Sequence, residues 1–321
     1  MDPPRSTRGA PMEELLELVQ LVQRELLLRD EAPTGNWVEA SATDLRTGEK
    51  SGWYYPIATG GGVAFRSERE TASFAHVHVE PGPDALARAV ALSETLLDTL
   101  PEPTRSASLG FTGLTTEQEE ALTAHLAQRS GSTVIRRFAM ERALRSRDGE
   151  GLTPVPDALA LVPVREITLD ALSVLDQRSF RGTTDELLIG SELVEYRRVL
   201  SALLDGAVGR FLDEASSALY RPDPPTLVGA ILTCEKSARH AVFQDFMVDP
   251  ALRGRGYGEY LLRWAFRALW ALGYERVRLW VSATNQTARH LYDSVGFAIT
   301  HSAVIYRWDR VPVAPHPQSN R

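Results

Sequence analysis

Cys234 is the only cysteine in 321 residues, so the chain can close no internal disulfide and build no cysteine-based zinc site. Within AILTCEK it reads as a buried strand thiol rather than a nucleophile. Long apolar runs are missing too. None could cross a bilayer, and the opening MDPPRSTRGAP lacks the apolar core of a secretory signal. Positive charge is the minority, with 35 Lys and Arg against 42 Asp and Glu for a net charge of −7, a balance that argues against non-specific nucleic-acid binding. His76 and His78 alternate along one predicted strand, but no third ligand accompanies them, so no metal is expected. These absences together predict a cytoplasmic protein with neither nucleic acid nor membrane as partner.

The apolar content of 43% and charged content of 24% are those of an ordinary globular protein, and the length suits one or two domains. Residues 1–11 are rich in Pro, Arg and Ser and are expected to be disordered. Leucines and valines at helical spacing follow over 13–30. Short strand patterns come next at 51–58, 62–68 and 73–81, with TGGG at 59–62 as a hairpin turn. A helix is predicted at 83–100 and a strand at 105–114. A further helix opens at Thr116 as N-cap, with Glu119 three residues on, and Gly131 closes it. A strand over 132–144 ends this part.

SRDGEGLTPVPD at 146–157 then breaks the pattern as a linker does. Beyond it the order restarts: a strand at 158–167, helices at 168–180 and 191–204, strands at 227–236 and 241–248, a helix at 258–274, a strand at 276–283, a helix at 287–297 and a strand at 298–308. A weak internal repeat joins the two parts. VHVEPG (77–82) answers FMVDPA (246–251), Gly131 answers Gly296, and Arg142 answers Arg307. The expected division is therefore a disordered 1–11, a first domain at 12–146, a linker at 147–158, a second domain at 159–310 and a loose tail at 311–321.

Within VDPALRGRGYGEYLL (248–262), Gly254, Gly256 and Gly258 alternate with Arg253 and Arg255 nearby and Tyr257 among them, between a strand and a long apolar helix. Such a turn points backbone N–H groups outward at the positive end of a helix dipole, which suits an anion such as phosphate. Glycine removes the Cβ atoms that would hold the anion off. The nucleotide-triphosphatase loop is excluded because Gly258 is followed by Glu259 and Tyr260, and the dinucleotide fingerprint fails because Glu259 stands where its last glycine belongs. A third pattern fits: Arg or Gln, two residues, Gly, one residue, Gly or Ala.

That loop, after a strand ending Val-x-Pro, resembles the coenzyme A loop of the GCN5-related N-acetyltransferases (GNATs). VSATNQTARHLYDSVGF (281–297) resembles the family's second signature through Asn285, Ala288, Leu291, Tyr292, Gly296 and Phe297. The resemblance implies a mixed α/β fold in tandem, each copy a mostly antiparallel central sheet flanked by helices. The first copy lacks the glycine loop, carrying Pro83 and Asp84 in its place, and is expected to be a degenerate copy. In layout, though in no specific residue, this is similar to the mycothiol synthase group.

The resemblance also implies a mechanism. Acetyl-CoA would be a co-substrate, its pyrophosphate on the amides from Arg253 through Gly254, Arg255, Gly256, Tyr257 and Gly258 to Glu259. Its pantetheine would pair with the strand Phe246, Met247 and Val248, the Val248 amide serving as oxyanion donor. Asn285 would hold the cofactor, and Tyr292 would act as general acid and also border the cofactor. The family often places an acidic base where this chain has Gln244. Asp245 and Glu235 are the candidate bases, with deprotonation through water as the other route. Each residue also has a plainer reading: Tyr292 as helix packing, Asp245 as a solvated strand residue, and Trp264, Phe266 and Trp270 as core or interface packing. The expected activity is acetyl transfer to a primary amine of a small molecule or peptide. The alternatives are a non-catalytic CoA-binding module, or an acyltransferase with another donor or acceptor.

Overall fold

The computed structural model describes residues 2–28, 36–68, 72–102, 104–149, 155 and 159–310. The expected tail at 311–321 and most of the expected linker at 147–158 lie outside them. Two compact units divide the chain: residues 1–136 with 303–321, and residues 137–302.

The first unit contains β1 (Arg5–Ser6), α1 (Met12–Leu28), α2 (Trp37–Thr47), β2 (Ser51–Tyr55), β3 (Gly62–Glu68), β4 (Ala72–Val79), α3 (Ala85–Asp98), β5 (Ser106–Thr112), α4 (Thr116–Leu126) and the start of β6 (Ser132–Ala143). The second holds the rest of β6, then β7 (Ala160–Pro163), α5 (Leu169–Phe180), α6 (Glu186–Ile189), α7 (Leu193–Leu204), β8 (Ser217–Pro222), β9 (Pro225–Ser237), β10 (His240–Val248), α8 (Tyr257–Ala271), β11 (Arg276–Ser282), α9 (Gln286–Ser294) and the start of β12 (Ala298–Asp309). Among the described residues no helix is long and apolar enough to cross a membrane.

Both units are mixed α/β, with a mostly antiparallel sheet flanked by helices. The first runs β1–β2–β3–β4–β5–β12 and the second β7–β8–β9–β10–β11–β6. In each, one neighbouring pair is parallel: β4 with β5 and β10 with β11. The last strand of each order comes from the other half of the sequence. Residues 305–309 of β12 pair with β5, and residues 137–143 of β6 pair with β11. Gly131, at φ 85°, leaves no room for a Cβ because Asp309 O would lie 2.1 Å away.

Two sequence expectations change in the first unit. Residues 1–11, expected to be disordered, pair as Arg5↔Tyr54 and Ser6↔Trp53. The Thr7 hydroxyl donates to Leu45 O at 3.2 Å and Gly52 O at 3.1 Å, so main-chain pairing orders a segment poor in apolar residues. The N-cap of α4 is Thr115, not Thr116. Its hydroxyl accepts from Gln118 N at 3.2 Å, and Gln118 Oε1 accepts from Thr115 N at 3.0 Å, a reciprocal capping box set one residue earlier.

The second unit's sheet is covered on both faces. On one lie α8 and α9, with Tyr260, Leu261, Leu262, Ala265, Phe266 and Leu269 of α8 buried against Phe243, Val277 and Leu279. On the other lie α5 and α7, with Leu172, Leu175, Leu200 and Leu203 against Ala230, Leu232, Val242 and Met247. Full burial of each such leucine stabilises by roughly 1.5–3 kcal/mol. Trp270, read as packing, is 41% exposed at the end of α8.

Candidate active site

The backbone of the 254–258 loop explains two of its glycines and packing explains the third. Gly254 and Gly256 have φ of 76° and 80°, and a Cβ at either would meet nothing within 4 Å. The left-handed turn is therefore what requires glycine there. Gly258 is different: its Cβ would lie 3.1 Å from Leu291 Cδ2 and 3.2 Å from Phe246 Cζ, so a bare Cα lets α8 close onto β10 and α9. Gly256 caps α8 without any side-chain acceptor, and the next amide bonded back is Tyr260 N, to Gly256 O at 2.9 Å. The amides from Gly254 to Glu259 thus have no acceptor among the described residues, at the positive end of the helix dipole.

Two arginines tie this end of the strand to α5, one from each side. Arg253 donates to Ser179 O at 2.7 Å, and burial lowers its pKa. Arg178 pairs with Asp249 at 3.0 Å. Arg255 is exposed beside the loop, and Glu259 pairs with Arg263 at 2.8 Å.

Beside the loop, β10 parts from β11. The parallel pairing runs from His240↔Arg276 to Phe243↔Leu279 and ends there, although β10 continues to Val248 and β11 to Ser282. The cause is local. β10 carries a bulge at Gln244, Phe243 pairing with Thr233 and Asp245 with Leu232, and an extra residue bends and twists a strand. The freed edge is polar. Asp249 N donates to Val228 O at 2.9 Å, so Val248, one residue earlier, carries its N–H on the opposite edge, towards the opening. Its carbonyl accepts from Ser179 Oγ at 3.3 Å.

The bulge also resets the alternation of β10. Asp245 and Met247 join Val242 on the face covered by α5 and α7. Asp245, only 8% exposed, meets Asp176 of α5, which is fully buried. Burial raises both carboxyl pKa values, Asp176 further than Asp245, and the Asp245 charge raises Asp176 again. The hydroxyl of Tyr196, fully buried on α7, feels Glu186, Asp176, Glu195 and Asp245. Asp185 closes the group at the end of β11: Ser282 Oγ donates to it at 2.7 Å and Arg137 lies 3.6 Å away. The adjacent Thr184 and Thr284 hydroxyls are hydrogen-bonded at 2.8 Å.

Tyr292 of α9 points into this group. Burial first, then the charges of Asp185 and Asp245, push its hydroxyl well above the usual tyrosine range, so it holds its proton at any ordinary pH. Its ring packs on Phe246 and Phe297, with centroids 6.1 Å and 5.8 Å away. Asn285 caps α9, its Oδ1 accepting from Ala288 N at 3.1 Å.

Of the residues singled out from sequence, the structure gathers Phe246, Met247, Val248, the 253–259 loop, Asn285 and Tyr292 around the parting of β10 and β11, with Asp245 on the strand itself. Glu235 is not among them. It stands opposite Ala241, at the other end of β10, where it pairs with Arg210 and accepts from Tyr274 at 2.6 Å. Those bonds lower its pKa, the Tyr274 bond most. Asp245, whose plainer reading was a solvated strand residue, is buried instead. Cys234 is buried and its thiol pushed up to about 11. Asp176, Asp185, Tyr196 and Arg137 were missed. Asp176 left a sign: it interrupts the apolar stripe of Leu169, Leu172 and Leu175 on α5. The others left none.

Residues 185–297 match the Acetyltransferase (GNAT) family. Over nearly its whole length the chain superposes on two solved structures. A GCN5-related N-acetyltransferase from Sphaerobacter thermophilus aligns with a TM-score of 0.64 at 16% identity, over 96% of this chain and 97% of that one. A tandem GNAT protein from the clavulanic acid biosynthesis pathway aligns at 0.58 and 14%, over 97% and 99%. The second unit thus carries the GNAT family match, and the fold of the whole chain is that of a tandem GNAT protein. Among curated relatives, a mycothiol acetyltransferase of Propionibacterium freudenreichii subsp. shermanii is 25% identical over 155 residues, 47% of each chain. A [ribosomal protein bS18]-alanine N-acetyltransferase of Haemophilus ducreyi is 37% identical over 68 residues, 21% of this chain and 47% of that one. The chain thus spans about half the length of these relatives.

Proposed function

We propose that the second unit binds acetyl-CoA and transfers its acetyl group directly to a primary amine of a small molecule or peptide. The carrying observation is the bulge at Gln244, which ends the β10–β11 pairing and turns the Val248 amide into the opening beside the glycine loop. The pantetheine arm would take up the freed edge as an added strand. The pyrophosphate would rest on the amides of Gly254 to Glu259. The named relatives are acetyltransferases, one for mycothiol and one for an alanine of a ribosomal protein, which supports acetyl transfer and leaves the acceptor open between small molecule and peptide.

In the transfer, the amine nitrogen attacks the thioester carbonyl carbon. Asp245 first takes one proton from the ammonium form of the acceptor, and the Val248 amide stabilises the oxyanion that attack creates. The carbon–sulfur bond breaks, the departing sulfur takes the proton of Tyr292, and the second N–H proton of the attacking nitrogen replaces it on the Tyr292 oxygen. Holding both reactants in line supplies much of the rate. The first unit offers no such opening: β4 and β5 stay paired from Ala72↔Ser106 to His78↔Thr112.

Calorimetric titration with acetyl-CoA tests the reading, followed by CoA release over a panel of amines. One site per chain, abolished by Gly256→Glu, is the expected result. Absence of binding would sink it, and binding without release on any amine would leave a CoA-binding module.

A further inference from the structure

The acetyl-transfer reading uses Asp245 and Tyr292 and leaves Asp176 without a task. Asp176 sits on the buried face of α5 with Leu172, Ser173, Leu175 and Ser179. The helix is tied to the end of β10 at Ser179, whose Oγ donates to Val248 O at 3.3 Å while Arg253 reaches its carbonyl. One turn back from Ser179 on the same face, Asp176 is set against Asp245, which the bulge has turned towards α5. Neither oxygen of Asp176 has an N–H or O–H donor among the described residues, and one oxygen of Asp245 lacks one too. Two carboxyls this close in a buried site can bond to each other only if one of them carries a proton.

We propose that Asp176 is a positioning residue that keeps its proton at neutral pH and donates it in a hydrogen bond to Asp245, holding Asp245 as the carboxylate that receives the acceptor's proton. This rests on the acetyl-transfer reading. The groups around Asp245 agree with it. Asp185 and Glu186 from α6 and Tyr196 from α7 add negative or neutral polar groups. Tyr292 faces it from α9, and Arg137 of β6 brings a cation that lies beside Asp185. Among the described residues no ion pair joins a cation to either carboxyl, so a shared proton is what permits both to remain buried. Burial raises both groups; the Asp245 charge raises Asp176 further, whereas the hydrogen bond from Asp176 holds Asp245 down, which assigns the proton to Asp176. An acceptor arriving as an ammonium ion gives one proton to Asp245 and becomes the neutral nucleophile. After attack the nitrogen's second proton refills Tyr292, which has protonated the sulfur, and Asp245 releases its proton to solvent, while Asp176 keeps its own throughout.

Two measurements test this together. In carbon-13 NMR of the full chain labelled at aspartate Cγ, one carboxyl is expected to stay protonated at pH 7, and its signal to be missing from Asp176→Asn. In pH profiles of kcat/KM for the amine, Asp176→Leu, which offers no donor, is expected to move the acidic limb up by about one pH unit. Asp176→Asn, which still donates a hydrogen bond, is expected to bring it back, with KM for acetyl-CoA unchanged in both. Absence of a protonated aspartate at pH 7 overturns the proposal. So does an acidic limb that Asp176→Leu leaves in place, or one that Asp176→Asn fails to restore. A protonated Asp176 in a wild-type chain that acetylates no amine overturns the acetyl-transfer reading and the role assigned here, while the shared proton itself stands.

Discussion

Tyr292 and Glu235 make opposite demands on a substitution. Tyr292 is buried, holds its proton, and lies beside Asp245 and Asp185. Tyr292→Phe is expected to lower kcat by about 100-fold, the low end of general acid contributions, while calorimetry finds acetyl-CoA affinity within about twofold. An unchanged kcat would return Tyr292 to helix packing. Glu235 is held by Arg210 and Tyr274 away from the opening, so Glu235→Gln is expected to leave kcat/KM unchanged. Asp176 adds a prediction in stability. Its pKa is raised above the unfolded value of 3.8, so the unfolded chain loses this proton first, and stability falls as pH rises from about 4 towards the folded pKa. The limiting slope for one proton is ~1.4 kcal/mol per pH unit. Asp176→Asn removes the effect and is expected to melt above wild type at pH 8, by a wider gap than at pH 5. Equal gaps at both pH values would show that Asp176 is ionised in the fold.

At the scale of elements, the glycine loop separates conformation from packing. Gly256→Glu puts a carboxylate at the helix N-terminus where the anion is proposed to sit, and the fold is expected to tolerate it except for the strain at φ 80°. Gly258→Leu strikes the contact between α8, β10 and α9, with Leu291 and Phe246 already close. It is expected to cost about 1–3 kcal/mol in urea unfolding. A smaller cost would mean that α9 yields. The loop and α8 were legible in sequence because glycine spacing and apolar periodicity are local. The parting of β10 and β11 was not: Gln244 looks like any strand residue until its neighbours are paired and it is found to be the extra one. For the same reason Glu235 stood level with Asp245 as a candidate base, since proximity along the chain does not say which end of a hairpin faces the opening.

For the whole molecule, the tandem layout predicts one acetyl-CoA site per chain, because the continuous β4–β5 ladder leaves no edge for a second. Two sites by calorimetry would contradict that reading. The sequence by itself determined the α/β order of each half, the glycine loop, the Asn285–Tyr292 signature and the absence of that loop from the first copy. Each is written in residues close together, where backbone freedom, helix caps and hydrophobic period act. Tertiary structure alone decided that each unit takes its last strand from the other half of the sequence, and that Asp176, Asp185 and Tyr196 surround Asp245. Those outcomes depend on which strands pair and which helix face is buried, and these are settled by burial of apolar surface from distant segments, a quantity no short stretch of sequence contains.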